Sequence, residues 1–237
     1  MKCAIVDERI SEKCERGLLL RGFQIIKCPP SEFLGEAVKS HPDMLMFHYK
    51  NRIISSAKYC ESFPYVFSDI REMTENTEFT FSDENFTPEY PSDAIFNALT
   101  VGDFIFLKED TVSQAVIRLA KKIGLEIVPV KQGYPSCTTL AFGNSAITAD
   151  KGMEKALLRC GINVTLISNG DISLFPHEYG FIGGASGVYK NEVYFLGSLE
   201  SHKDSIKIRE ALERENYTPV SLSDEPLCDL GRIIFVD

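Results

Sequence analysis

Apolar positions along this chain recur in a fixed order. Two β-rich runs meet at a tight turn, a helical stretch follows, and a third β-rich run closes the set. The second half shows the order first. "CTTLAFGNSAITAD" reads as a hairpin turning at Gly143-Asn144, because two strand-like runs flank a two-residue turn signal. "KGMEKALLRCG" then reads as a helix, with Asp150 as its N-cap and Gly161 as its stop, and "INVTLIS" as a strand. The next unit repeats this. "ASGVYKNEVYFLGS" turns at Lys190-Asn191, "SIKIREALEREN" is a helix capped by Ser205, and "YTPVSLS" is a strand.

The preceding unit has the same layout. "DAIFNALTVGDFIFL" turns at Gly102-Asp103. In "TVSQAVIRLAKKIG" one helical face carries Val112, Ala115, Val116, Leu119 and Ala120, with Gly124 beyond its end, and "LEIVPV" closes the unit. Further upstream, "DMLMFHYKNRIISSAK" turns at Lys50-Asn51, with a helix expected from Ser56. The segment 71–92 is polar, acidic and rich in turn formers, so it is expected to be an insertion or long loop within one domain spanning 1–237.

The two ends complete the series. "GRIIFVD" offers a first hairpin strand with no second, and "MKCAIVD" offers a second with no first, followed by the helix "SEKCERGLLLRG" and the strand "FQIIKCPP". Pairing Arg232–Val236 with Lys2–Val6 makes one more unit. The expectation is an α/β fold: a five-fold pseudosymmetric propeller of ββαβ units, closed by its terminal strands so that no sheet edge is left open.

Composition narrows the function. The 237 residues are 44% hydrophobic and 25% charged, with a formal net charge of −9. That balance argues against nucleic acid, whose phosphates call for clustered Lys and Arg, and against an anionic membrane surface. Seven cysteines, odd in number and without a CxxC pair, argue against a disulfide framework or structural zinc. Acidic residues Asp7, Glu8, Glu12 and Glu15 argue against a secretory leader. A cytoplasmic protein with a small-molecule partner and no cofactor is the expectation; oligomeric state is left open.

Two stretches resemble a known superfamily. "PSDAIFNALTVGDFIFL" is similar to the P-D-x-x-F-x-x-D strand and hairpin of the penteins, the guanidino-group-modifying α/β propellers. "GFIGGASGVYKNEVYFLGS" is similar to their G-G-D hairpin. The superfamily includes arginine and agmatine deiminases, dimethylarginine dimethylaminohydrolases, amidinotransferases and a non-catalytic ribosome anti-association factor, and the resemblance suggests a bacterial branch. It implies a Cys nucleophile near the C-terminus, an assisting His, and carboxylates that hold the guanidinium. Asp93 matches the first family Asp. Asn97 stands at the second acidic position, Gly183-Gly184-Ala185 lacks the Asp of G-G-D, and no Cys lies in Arg232–Asp237.

Aligning the units by their turns puts Asp43, Asp93, Cys137, Ala185 (with Ser186 next) and Asp229 at equivalent strand starts. In a ring these converge on the axis, so one acidic pocket is expected to hold Asp43, Asp93, Asp229 and Cys137, with Asn97, Gly183, Gly184 and Ser186 nearby. Clustered carboxylates raise one another's pKa unless a cation sits between them, so the pocket suits an amine, a guanidinium or a metal ion. Each Asp equally suits a local turn cap, and Cys137 a buried apolar position. His41 can reach the same mouth, His48 reads as a core residue, and His177 and His202 as exposed. The candidate nucleophiles are Cys137 and Cys228, the latter disfavoured by its neighbour Asp229.

Three functions remain open. The first is ligand binding at the axis without guanidine chemistry. The second is a Cys-dependent hydrolase of guanidino or amidine C–N bonds. The third is an interaction protein with a plugged axis, like the anti-association factor.

Overall fold

The computed structural model describes residues 2–74 and 76–237. The chain opens with β1 (Cys3–Asp7), α1 (Glu12–Leu20) and β2 (Gln24–Cys28). A second unit holds α2 (Pro42–Leu45), β3 (Met46–Tyr49), β4 (Arg52–Ser56), α3 (Ala57–Ser62), α4 (Pro64–Met73) and β5 (Glu78–Ser82). The third has a 3-10 turn at Ser92–Ala94, then β6 (Leu99–Val101), β7 (Phe104–Leu107), α5 (Gln114–Lys122) and β8 (Glu126–Pro129). The fourth runs through α6 (Pro135–Thr138), β9 (Thr139–Phe142), β10 (Ser145–Thr148), α7 (Lys151–Arg159) and β11 (Asn163–Leu166). The fifth holds β12 (Ser186–Tyr189), β13 (Glu192–Phe195), α8 (Ser205–Arg214) and β14 (Thr218–Ser221), after which β15 (Ile234–Val236) ends the chain.

Among the described residues the strands form five three-stranded mixed sheets of one plan. In each, the middle strand pairs antiparallel with the first and parallel with the third, as β9–β10 and β10–β11 show. Four hairpins turn on two residues, and the first of each pair has positive φ: Lys50, Gly102, Gly143 and Lys190. Such turns match the right-handed twist of the strands they join, which is why the short signals in the sequence suffice to set the register. The remaining sheet has no hairpin. There β15 pairs antiparallel with β1, Cys3 opposite Val236 and Ile5 opposite Ile234. The termini therefore meet as the strand pattern predicts.

Helix ends follow from side-chain chemistry. Asp150 accepts from the backbone N–H of Gly152 and Met153 at the start of α7, and Gly161 takes φ 73° just beyond its end. α5 buries Ala115, Val116 and Ala120 on the face the sequence marks out. Two expectations need correction. The N-cap of α8 is Asp204, and Ser205 is the first helical residue. Residues 71–92 are not one long loop: they begin in α4 and contain β5, which pairs in parallel with β4 from Arg52↔Glu78 to Ser56↔Ser82. The alternation Phe79-Thr80-Phe81-Ser82 is a strand pattern masked by polar flanks, and Glu75 within this segment lies outside the described residues.

The buried side chains link one unit to the next. One cluster joins units one, two and three through Ile5, Ile54 and Ile105; another joins three and four through Phe106 and Leu157. A further cluster joins four and five through Leu140 and Val193, and the last joins five and one through Tyr194 and Phe23. β15 takes part in this last seam, with the Phe235 ring 4.8 Å from Phe23 and 5.1 Å from Tyr194. Among the described residues no helix is long and apolar enough to cross a membrane.

Ile234, Phe235 and Val236 are each 5–7% exposed. At about 2 kcal/mol per buried apolar side chain, removing them costs a sum comparable with the whole stability of a domain. Deleting residues 232–237 is therefore expected to abolish cooperative thermal unfolding or lower Tm steeply. A truncated chain that melts where the full chain does would contradict the terminal pairing.

Candidate functional site

Of the residues aligned by the repeat, Ser186 does start a strand, β12, but the others occupy short turns that precede strands. Asp43 is in α2, Asp93 in the 3-10 turn, Cys137 in α6, and Asp229 in the stretch before β15. Pro42 and Pro135 open their helical turns, where a proline's fixed φ is already helical and its missing N–H leaves no unmet donor. The turn aims the side chain away from the sheet pleat, which the strand-like patterning does not foretell.

The turns are wired together by hydrogen bonds, those of Cys137 and Asn97 buried. The Cys137 thiol donates to Asp43 Oδ2 at 2.9 Å. The Asn97 amide nitrogen donates to Cys137 Sγ at 3.1 Å and to the Asp43 carbonyl at 3.3 Å, while its oxygen accepts from Ser136 N at 2.8 Å. Arg232 Nη1 donates to Ser136 Oγ at 2.8 Å. Asp43 N donates to the Gly231 carbonyl, and Gly184 N to the Cys137 carbonyl at 2.9 Å. Asp229 accepts from Phe181 N at 2.9 Å and Gly231 N at 3.1 Å, and Tyr134 donates to Asp93 Oδ2 at 2.8 Å.

Two cavities flank this layer. The larger, about 600 Å³, is lined by Asp93, Cys137, Asp229, His41, Tyr134 and His177 among others. The smaller, about 290 Å³, is lined by Asp43, Ser136, Arg232 and His48 among others. The single acidic pocket expected from the repeat is thus divided. Asp93, Asp229 and Cys137 share the larger cavity, whereas Asp43 lies behind the thiol on the smaller one.

Burial governs the electrostatics. It raises the Asp229 carboxyl to about 7, with the Asp43 charge adding to the rise and two backbone N–H bonds opposing it. Burial also raises Asp93, against the hydrogen bond from Tyr134, and raises Asp43, against the Cys137 thiol and the Arg232 charge. Cys137 is held well above the ordinary thiol range, first by burial and then by the charges of Asp43 and Asp229. It keeps its proton and donates it to Asp43, the reverse of an activated thiolate. His41 is pushed down to about 3 by burial and by Arg9. Although its Nε2 stands 3.8 Å from Asp7, His41 is therefore neutral near pH 7, and neither ring nitrogen has a hydrogen-bond partner. Arg9 occupies both oxygens of Asp7 instead.

The other sequence candidates fall elsewhere. A Cβ at Gly183 would strike the Ser136 carbonyl, and one at Gly184 would strike the Asp229 carboxylate, so both glycines serve close backbone approach behind the site. Ser186 donates to the Ile182 carbonyl at 2.7 Å, and the Cys228 thiol, raised by its burial, does not line the larger cavity. His202, read as exposed, is buried: its Nδ1 accepts from Asp204 N at 3.0 Å. The sequence reading missed Tyr134, Ser136 and Arg232. Tyr134 and Ser136 flank Cys137 closely enough to have been taken with it, but no periodicity marks Arg232. Among the described residues no group of His, Cys, Asp and Glu has a metal-holding arrangement.

No curated protein matches this chain in sequence. Solved structures do match its fold. A dimethylarginine dimethylaminohydrolase, solved as an adduct with 4-chloro-2-hydroxymethylpyridine, aligns with a TM-score of 0.56 at 13% identity, over 94% of this chain and 92% of that one. An amidinotransferase of saxitoxin biosynthesis from Microseira wollei gives 0.52 at 11% identity, over 92% and 87%. An agmatine deiminase from C. jejuni gives 0.52 at 10% identity, over 93% and 75%. At such identities the likeness speaks for the fold, which is that of the pentein superfamily. A family model matches residues 5–234, so over nearly its whole length this chain belongs to the family of unknown function DUF6873.

Proposed function

We propose that this chain binds a small organic cation (an amine, amidine or guanidine) in the larger cavity, without the guanidine chemistry of the enzymes whose fold it shares. One observation carries the reading: two buried carboxylates, Asp93 and Asp229, face one cavity, and among the described residues Asp93 Oδ1 has no hydrogen-bond partner. A buried acceptor without a partner is costly, and a cation between the two would relieve both the missing bond and the burial of charge. The net charge of −9 favours the same class of ligand.

The absence of chemistry is argued from the thiol. Nucleophilic attack on a guanidine carbon needs a thiolate, and Cys137 has its proton directed at a carboxylate. Counted from Asp93, the P-D-x-x-F-x-x-D pattern has its second acid at Leu99 and not at Asn97, so no carboxylate stands there, and the Asn97 amide is committed to Cys137, Asp43 and Ser136. We further read the five sheets as blades of one closed ring, with this cavity on its axis. The seams that join unit to unit, including five to one, support that arrangement.

A second reading, Cys-dependent C–N hydrolysis, is favoured by one feature. Cys137 and His41 line the same cavity, and among the described residues neither His41 ring nitrogen has a hydrogen-bond partner. A cavity of about 600 Å³ speaks against the third reading, a plugged interaction scaffold.

Calorimetric titration with agmatine is expected to show binding at pH 8. Asp93→Asn and Asp229→Asn should each weaken it about tenfold or more, the usual scale for losing a charged hydrogen-bond partner. Affinity untouched by both changes rules out the site.

Acidity supplies a separate check. The Asp229 carboxyl titrates at about 7, so below that pH a proton competes with the cationic ligand. Affinity should fall by up to about tenfold per pH unit below the pKa and level off above it. A flat profile from mildly acidic to mildly basic pH would contradict the role of Asp229.

Incubation with arginine, agmatine and methylated arginines should yield no citrulline or other ureido product. Turnover that disappears in Cys137→Ala would establish the hydrolase reading instead.

A further inference from the structure

The smaller cavity lies on the far side of the Cys137–Asp43 contact and presents both signs of charge on its wall. The negative group is Asp43, 4% exposed, whose Oδ2 accepts from the Cys137 thiol while, among the described residues, Oδ1 has no hydrogen-bond partner. The positive group is Arg232. Its Nη1 reaches Ser136 Oγ, but among the described residues the guanidinium makes no ion pair. Arg232 has φ 69°, a conformation that side chains other than glycine's rarely adopt and that persists only where the surroundings impose it. Its backbone is fixed there by a 2.8 Å hydrogen bond from Arg232 N to the Gly184 carbonyl. His48, also on the wall, leaves Nε2 without a partner. Phe96, Ala98 and Val188 supply apolar surface between these groups.

We propose that this smaller cavity is a second ligand site, taking a compact zwitterion of the amino-acid class with its carboxylate on Arg232 and its ammonium on Asp43. The choice follows from elimination. A simple anion would be drawn to Arg232 but repelled by Asp43, and a simple cation the reverse. A neutral apolar molecule would leave Asp43 Oδ1 unpaired and the Arg232 guanidinium with no hydrogen-bond partner beyond Ser136, a costly arrangement. A ligand carrying both charges pairs each wall group and leaves the total charge of the cavity unchanged. A volume of about 290 Å³ limits it to a few carbon atoms between or beside the charged ends. The reading does not depend on the larger cavity binding a cation, because Arg232 and His48 do not line that cavity.

The test is calorimetric titration of the full chain with glycine, L-serine and γ-aminobutyrate, set against acetate and methylammonium as the separate halves. At least one zwitterion should bind at least tenfold more tightly than either half, and Arg232→Gln and Asp43→Asn should each cost tenfold or more. Arg232 belongs to the chain-closing segment, so its variant is paired with a gentler one. Thr100→Phe fills the cavity from half-buried β6 and touches neither charge. It should abolish zwitterion binding and leave the agmatine titration of the larger cavity as it was. Binding of none of the zwitterions, equal binding of a half, native affinity in Thr100→Phe, or displacement by agmatine would each overturn the proposal.

Discussion

The hydrogen bond from the Cys137 thiol to Asp43 is the point on which the structure turns. Asp43 comes from the second unit and Cys137 from the fourth, and Asn97 of the third is clamped to both. Arg232, next to the strand that completes the first unit, bonds to Ser136, and Gly184 of the fifth bonds to the Cys137 carbonyl. All five units are therefore tied within one small polar cluster. The ties through Asp43, Asn97 and Cys137 are buried, so each of their donors or acceptors left without its partner would cost about 1–3 kcal/mol. That cost makes the cluster a constraint on register: a unit that slipped would leave its member of the cluster unsatisfied.

The same contact sets the chemistry on either side of it. It turns the thiol proton away from the larger cavity's carboxylates and toward Asp43, and it stands between the two cavities. Asp229 and Asp93 are left as the buried carboxyls of the larger cavity, both raised by burial. Asp43, whose Oδ1 has no hydrogen-bond partner among the described residues, and Arg232, bonded to Ser136, line the smaller one. A fold shared with guanidino-modifying enzymes thus carries a core in which Cys137 acts as a hydrogen-bond donor to Asp43.

Much of this fold is legible in the sequence, for a local reason. Lys50-Asn51, Gly102-Asp103, Gly143-Asn144 and Lys190-Asn191 are turns that fix the register of the strands beside them, and the half-unit at each terminus then needs the other. β5 escapes because its alternation is short and set among acidic and turn-forming residues. The site is less legible. Repeat alignment finds Asp43, Asp93, Cys137 and Asp229, since equivalent positions in similar units are brought together. It cannot say which side of the Cys137–Asp43 layer each carboxylate faces, because helical turns rather than strand pleats aim them. Arg232 is hidden for a further reason: its orientation depends on a left-handed backbone at a residue whose identity gives no sign of one.

The central claim is that Cys137 is a protonated donor and not a nucleophile at rest. The most direct measurement is the pH titration of the Cys137 β-carbon resonance in cysteine-labelled protein, assigned with Cys137→Ser. The account predicts no thiolate midpoint up to the ordinary thiol value of 9.0, and a lower midpoint in Asp43→Asn than in the native chain. A midpoint below neutrality in the native chain would contradict it.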